Sequence, residues 1–169
     1  MAITEVFPLE IHMAFIKGVL SVIRELGGFS SISEMAKETN EDIDDLLPAL
    51  RACEMLGLIK VEDGVATLTD ETASLSSKEA RLQMRERLVL LEPFKTINAE
   101  LSRYGRITTS KLLDMLIRAG LYQNAYDLEN VDKFRKNLLA WCLKTELCDY
   151  DQRTDTWIKP ANPVKKTNR

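Results

Sequence analysis

Apolar residues recur at three- and four-residue intervals along most of the chain, and at a few places the interval shortens to two. From Pro8 to Leu26, Ile11, Phe15, Ile16, Val19, Leu20, Ile23 and Leu26 make one broad apolar stripe, which predicts a long amphipathic helix. Gly27-Gly28 ends it, and Phe29 is expected to pack back onto the core. Ser31 or Ser33 caps a short second helix through Glu38, with Met35 and Ala36 inward, and Thr39-Asn40 turns the chain. From Asp42 to Thr69 the pattern changes period. Leu46, Leu47, Leu50, Cys53 or Glu54, and Leu56–Leu58 keep helical spacing until Gly57, a residue that tolerates positive φ, stops the helix. Leu58-Ile59-Lys60-Val61 then alternates into Asp63-Gly64, and Val65-Ala66-Thr67-Leu68-Thr69 returns. An Asp-Gly pair between two such runs predicts a β-hairpin.

The second half repeats this order without repeating the residues. Lys78 to Leu91 is strongly helical in propensity, with Ser76 or Ser77 as its cap and Glu79 in the first turn. Lys78, Arg81 and Arg85 share one face, and Leu82, Leu88, Val89 and Leu91 another. Pro93 to Tyr104 turns Phe94, Ile97 and Leu101 inward, and Gly105 ends it. Thr108 or Thr109 caps a helix through Ala119 with Leu112, Leu113, Leu116 and Ile117 apolar. Gly120 to Asn130 reads as a loop, and Val131 to Glu146 as a helix offering Phe134, Leu138, Leu139, Trp141, Cys142 and Leu143 to the core. Leu147–Asp151 and Thr156–Ile158 predict a closing hairpin around Arg153-Thr154-Asp155.

Helix, short helix, helix, hairpin is the order of a winged helix. The expected fold is therefore mainly α with small β-hairpins (α+β), as tandem winged-helix units joined by a helix. The expected division is a first unit over 1–76, a connecting helix over 77–92, a second unit over 93–160 and a disordered basic tail over 161–169.

Charge divides the same way. The net charge of the 169 residues is −3, but residues 1–77 hold 5 Lys/Arg against 14 Asp/Glu, whereas residues 78–169 hold 18 against 12. Such halves suit different tasks, or one half facing the other. No run is apolar and long enough to span a membrane, and the start has no charged-then-apolar leader, so a soluble, cytoplasmic protein is expected. Cys53, Cys142 and Cys148 are odd in number and irregular in spacing, which fits a reducing compartment and buried thiols better than a disulfide framework.

Catalysis finds little support. The single histidine, His12, lies in the first helix, remote from the cysteines, and a closed zinc site would need Cys53, Cys142, Cys148 and His12 to converge. No cofactor or metal is expected. In a winged helix the helix before the hairpin is the one that enters a DNA groove. In the first unit that helix opens Glu41-Asp42-Ile43-Asp44-Asp45. These four carboxylates suit the positive end of the helix dipole and repel phosphate. In the second unit it opens Asp132-Lys133-Phe134-Arg135-Lys136-Asn137, so Lys133, Arg135, Lys136 and Asn137, with Arg153 on the hairpin, are the candidate nucleic-acid contacts. Glu41, Asp42, Asp44 and Asp45, together with Arg81 and Arg85 on the connecting helix, are the candidate partner surface, within the chain or across a homodimer.

Asp44-Asp45-Leu46-Leu47-Pro48, Glu54-Met55-Leu56-Gly57-Leu58, Glu62-Asp63-Gly64 and Leu68-Thr69 resemble the signature of the C-terminal AAA-associated domain. The segment Trp141 to Trp157, with Glu146-Leu147-Cys148-Asp149-Tyr150-Asp151, is similar to that family's closing hairpin, and the resemblance runs from about Phe15 to Ile158. The family usually has a glycine soon after Leu-Thr, where this chain has Asp70-Glu71-Thr72-Ala73. The family is found behind ATP-binding cassettes of ABC-type ATPases and also as stand-alone proteins. No Walker lysine motif occurs here, so the resemblance implies an ATPase on a separate chain. The expected function is a non-catalytic regulatory or adaptor protein acting through protein–protein contact, with an ABC-type ATPase or a second copy of itself. The alternative is a DNA-binding transcriptional regulator that uses the second unit.

Overall fold

In the computed structural model, which describes residues 5–69, 78–122 and 128–160, the chain forms two compact units. One is Phe7–Leu88. The other takes the chain from Val89 onward and, among the described residues, Glu5 and Val6. Val6 bridges to Glu92, whose N–H donates to the Glu5 carbonyl at 2.9 Å, so Glu5 and Val6 are held by the second unit.

The first unit runs α1 (Met13–Glu25), β1 (Phe29–Ser31), α2 (Ile32–Thr39), α3 (Ile43–Met55), β2 (Ile59–Glu62), β3 (Val65–Leu68) and α4 (Lys78–Leu88). The helix expected from Pro8 begins only at Met13. Its buried stripe is Met13, Ile16, Val19, Leu20 and Ile23, while Phe15 stands at the surface. Helix α1 packs on α3, which buries Leu46, Ala49, Leu50, Ala52 and Cys53, and Met35 of α2 is fully buried in the same unit. The Ser31 hydroxyl accepts from the Glu34 N–H at 3.1 Å and starts α2, and Asn40 in the left-handed region ends it. Asp63 and Gly64 both take positive φ, 52° and 74°, as a two-residue hairpin of matching twist requires.

The sheet is antiparallel in the order β1-β3-β2. Strand β1 was not expected, and it corrects the placement of Phe29. The alternation of a strand turns Ser30 inward, at 2 % exposed, and Phe29 outward, at 62 %. Leu47 is likewise outside, because the buried stripe of α3 runs through Leu46, Ala49, Leu50 and Cys53, and position 47 lies about 100° round the helix from Leu46 on the side away from Ala49.

The second unit runs α5 (Phe94–Tyr104), β4 (Arg106–Thr108), α6 (Thr109–Arg118), α7 (Leu128–Thr145), β5 (Asp149–Asp151) and β6 (Thr156–Ile158), with sheet order β4-β6-β5. The order of elements and the order of strands therefore match those of the first unit. The Thr108 hydroxyl accepts from the Lys111 N–H as Ser31 does for Glu34, and Gly105 ends α5 at φ 79°. Phe94, Ile97, Leu101, Ile107, Leu112, Leu113, Leu116, Leu138, Trp141 and Trp157 form its core. Helix α7 starts earlier than expected, at Leu128.

Helix α4 ends at Leu88, short of the 92 expected for a connector, and belongs to the compact unit Phe7–Leu88. It buries Ala80, Met84 and Leu88 and leaves Leu82 at the surface. The expected cap at Ser76 or Ser77 and the tail at 161–169 lie outside the described residues.

Candidate functional site

Two surfaces follow from these helices. The first is the outer face of α3. Glu41, Asp42, Ile43, Asp44 and Asp45 are all exposed, and Asp44 and Asp45 occupy the first helical turn, where the dipole favours them. The Asp42 side chain makes no capping hydrogen bond, so its carboxylate is directed to solvent. Leu47 and Pro48 continue the exposed face by one turn. Arg81 and Arg85, expected to share a surface with these acids, are half-buried on α4, each held by an interaction of its own.

The second surface centres on Asp155, in the left-handed region (φ 50°) of the β5–β6 turn. Its carboxylate collects four hydrogen bonds. Arg135 of α7 donates from Nε to Oδ1 and from Nη2 to Oδ2, both at 2.9 Å. The Thr109 hydroxyl, at the start of α6, donates to Oδ1 at 2.6 Å, and the Tyr150 hydroxyl donates to the same oxygen. Thr109 in turn accepts from Trp157 Nε1 at 3.0 Å, and its N–H donates to the Asp155 carbonyl at 3.1 Å. One carboxylate thus joins α6, α7 and the hairpin. Bidentate charge-assisted bonds of this kind are the strong ones.

The electrostatics follow from that geometry. Partial burial alone would raise the Asp155 pKa, but the hydrogen bonds from Arg135, Thr109 and Tyr150 outweigh it and hold the carboxyl at about 2. Burial first, then the bond to Asp155, pushes Tyr150 up to about 12. The bond to Asp155 holds the Arg135 guanidinium above its ordinary range. None of these groups titrates near neutrality, so the network is poorly poised for proton transfer.

A stability window results. Asp155 has its folded pKa below its unfolded value of 3.8, so its contribution is complete above that pH and is lost as pH falls through about 2. Tyr150 has its folded pKa above the ordinary 10, so its contribution is complete below pH 10 and is lost as pH rises through about 12. The Asp155 side chain is 40 % exposed. With that solvent screening, the Asp155 loss is roughly 1 kcal/mol. Denaturant unfolding followed by tryptophan fluorescence checks this directly, because Trp141 and Trp157, the chain's two tryptophans, both lie in this unit.

A shallow cleft of about 520 Å³ opens beside the network, lined by Asp132, Arg135, Lys136, Leu139, Tyr150, Gln152 and Asp155. The expected nucleic-acid contacts therefore divide. Arg135 is withdrawn, because all three guanidinium nitrogens bond to Asp155 or Asp132. Lys133 and Lys136 are exposed, and Asn137 is half-buried. Arg153 is exposed at the hairpin tip, where its N–H donates to Asp151 Oδ1 at 3.0 Å. Asp155 was not singled out from the sequence. Its only local signal is a position between two threonines in a turn.

Among the described residues, no group of three or more His, Cys, Asp and Glu is placed to hold a metal ion. His12 is exposed at the start of α1. Cys53, Cys142 and Cys148 are buried and unpaired. Burial, and secondarily the charge of Glu54, pushes Cys53 up to about 12. Burial, then the hydrogen bond with Cys148, pushes Cys142 well above the usual thiol range. A thiol reagent at pH 8 should leave all three unlabelled in the native protein and label all three once it is unfolded. Fast stoichiometric labelling of the native protein would contradict the buried assignment.

Among the described residues no helix is long and apolar enough to cross a membrane. A family model, the C-terminal AAA-associated domain, matches residues 33–151. No curated protein and no solved structure matches the chain.

Proposed function

Because the chain belongs to the C-terminal AAA-associated domain family, we propose that it is a non-catalytic regulatory or adaptor protein, built of two winged-helix units, that works in the cytoplasm by protein–protein contact. Its partner is an ABC-type ATPase, or a second copy of itself. The observation that carries this reading is the outer face of α3. The helix that a DNA-binding winged helix would lay in a groove presents the exposed carboxylates of Glu41, Asp42, Asp44 and Asp45 there. Phosphates would meet like charge at every one of them. The unpaired cysteines are in keeping with a reducing compartment.

The rival reading, a DNA-binding transcriptional regulator, is favoured by one observation: Lys133 and Lys136 stay exposed on α7. Fluorescence anisotropy against random duplex DNA, at low and then moderate salt, separates the two. The protein-contact reading expects no micromolar binding even at low salt. Micromolar binding whose salt slope falls by about 1 for each of Lys133→Ala and Lys136→Ala would establish the rival.

A further inference from the structure

We propose that the outer face of α3 is a docking site for a cationic amphipathic helix of a partner protein, an inference that rests on the protein-contact reading and names its surface. Ile43 and Leu47, one helical turn apart, are 43 % and 44 % exposed, although α3 already buries Leu46, Ala49, Leu50, Ala52 and Cys53 on its other side. The core has no use for these two aliphatic side chains. Exposed Pro48 adjoins them. Proline has no N–H, so the Asp44 carbonyl, four residues earlier, receives no bond from that position.

Charge decides the occupant. The stripe is flanked by exposed Asp44 and Glu54, with Glu41 and Asp42 at its start; Arg51, the one basic residue of α3, continues the same face one turn after Leu47 and is already engaged in an interaction of its own. A partner that covers Ile43 and Leu47 must bring lysine or arginine beside its own aliphatic groups, and a helix with residues at i, i+3 and i+4 spacing does so on one face. Nucleic acid fails on charge. Helix α4 of a second copy fits poorly, because its exposed face sets Glu79 and Glu86 among Lys78, Leu82 and Arg87.

The apolar contact is small, so the charges supply orientation and on-rate while Ile43 and Leu47 supply the anchor. The test uses the full chain and a fluorescein-labelled 18-residue lysine–leucine helix. A shuffled peptide of the same composition and a glutamate–leucine helix of the same pattern are the comparisons. The lysine–leucine helix should bind. Leu47→Ser leaves the charge unchanged and should weaken binding about five-fold or more, as truncation of an interface anchor does. Asp44→Asn with Asp45→Asn should weaken it comparably at low salt and much less at high salt. Unchanged melting of the variants confirms that the fold is intact.

Equal affinity for the shuffled peptide would overturn the proposal. So would equal weakening by Glu38→Gln with Glu62→Gln, two exposed acids elsewhere on the unit. A homodimer that excludes the peptide and is lost in Leu47→Ser would assign the face to a second copy and overturn it as well. An ABC-type ATPase that binds wild type and Leu47→Ser equally would overturn this docking site while leaving the protein-contact reading standing.

Discussion

Asp155→Ala should destabilise the unit from Val89 onward by about 3 kcal/mol, roughly 10–20 °C in melting temperature for a domain of this size. Truncation removes the acceptor for Arg135, Thr109 and Tyr150 together. It leaves the half-buried Arg135 with Asp132 alone, and Thr109, 1 % exposed, without its acceptor. Stranded donors cost more than the net worth of the bonds they lose. Alanine also fits the left-handed backbone at position 155 less well than aspartate, adding about 1 kcal/mol. Asp155→Asn keeps a side-chain oxygen and tolerates that backbone, so it should cost about half as much. The difference between the two measures what the full acceptor set contributes. Tryptophan fluorescence during denaturant unfolding gives both values. A loss below about 1 kcal/mol for Asp155→Ala would show that the four bonds are not formed together in solution.

Leu50→Ala should cost about 3 kcal/mol in the unit Phe7–Leu88. Leu50 is 2 % exposed on the buried face of α3, and deletion of a buried isobutyl group loses transfer energy and leaves a cavity. Circular dichroism is the appropriate probe, because both tryptophans lie in the other unit. Leu47→Ala, three residues earlier and 44 % exposed, should cost less than about 0.5 kcal/mol. Similar losses at the two positions would contradict the assignment of Leu47 to the outer face.

These contrasts also show where residue pattern informs and where it fails. The long helices and the Asp63-Gly64 hairpin could be read directly, because a stripe of period 3.6 and a two-residue turn are local signals. Strands β1 and β4 were missed. Each has three residues and ends on the residue that caps the next helix, so neither shows a sustained alternation. Phe29 looked like core because it is large and apolar, but pairing with Thr67 in the sheet decided which way it points. Leu46 and Leu47 are adjacent and chemically alike, and only packing against α1 selects between them.

The candidate sites divide on the same principle. The acidic opening of α3 was legible, since a run of carboxylates at a helix start stays at the surface for a local reason. The Asp155 network was not. Its partners lie 46, 20 and 5 residues away in the chain, and no local pattern ties Thr109, Arg135 and Tyr150 to one turn. A sequence displays the charge of Arg135 and hides the Asp155 carboxylate, twenty residues away, that occupies it.

That this protein works by contact with another protein can be checked by light scattering coupled to size-exclusion chromatography. The protein is mixed with each purified ABC-type ATPase subunit encoded in the same genome. A complex of defined stoichiometry with at least one subunit is expected, weakened by salt as an acidic face requires. Separate elution from every subunit, with no self-association and with tight salt-sensitive binding to duplex DNA, would contradict it.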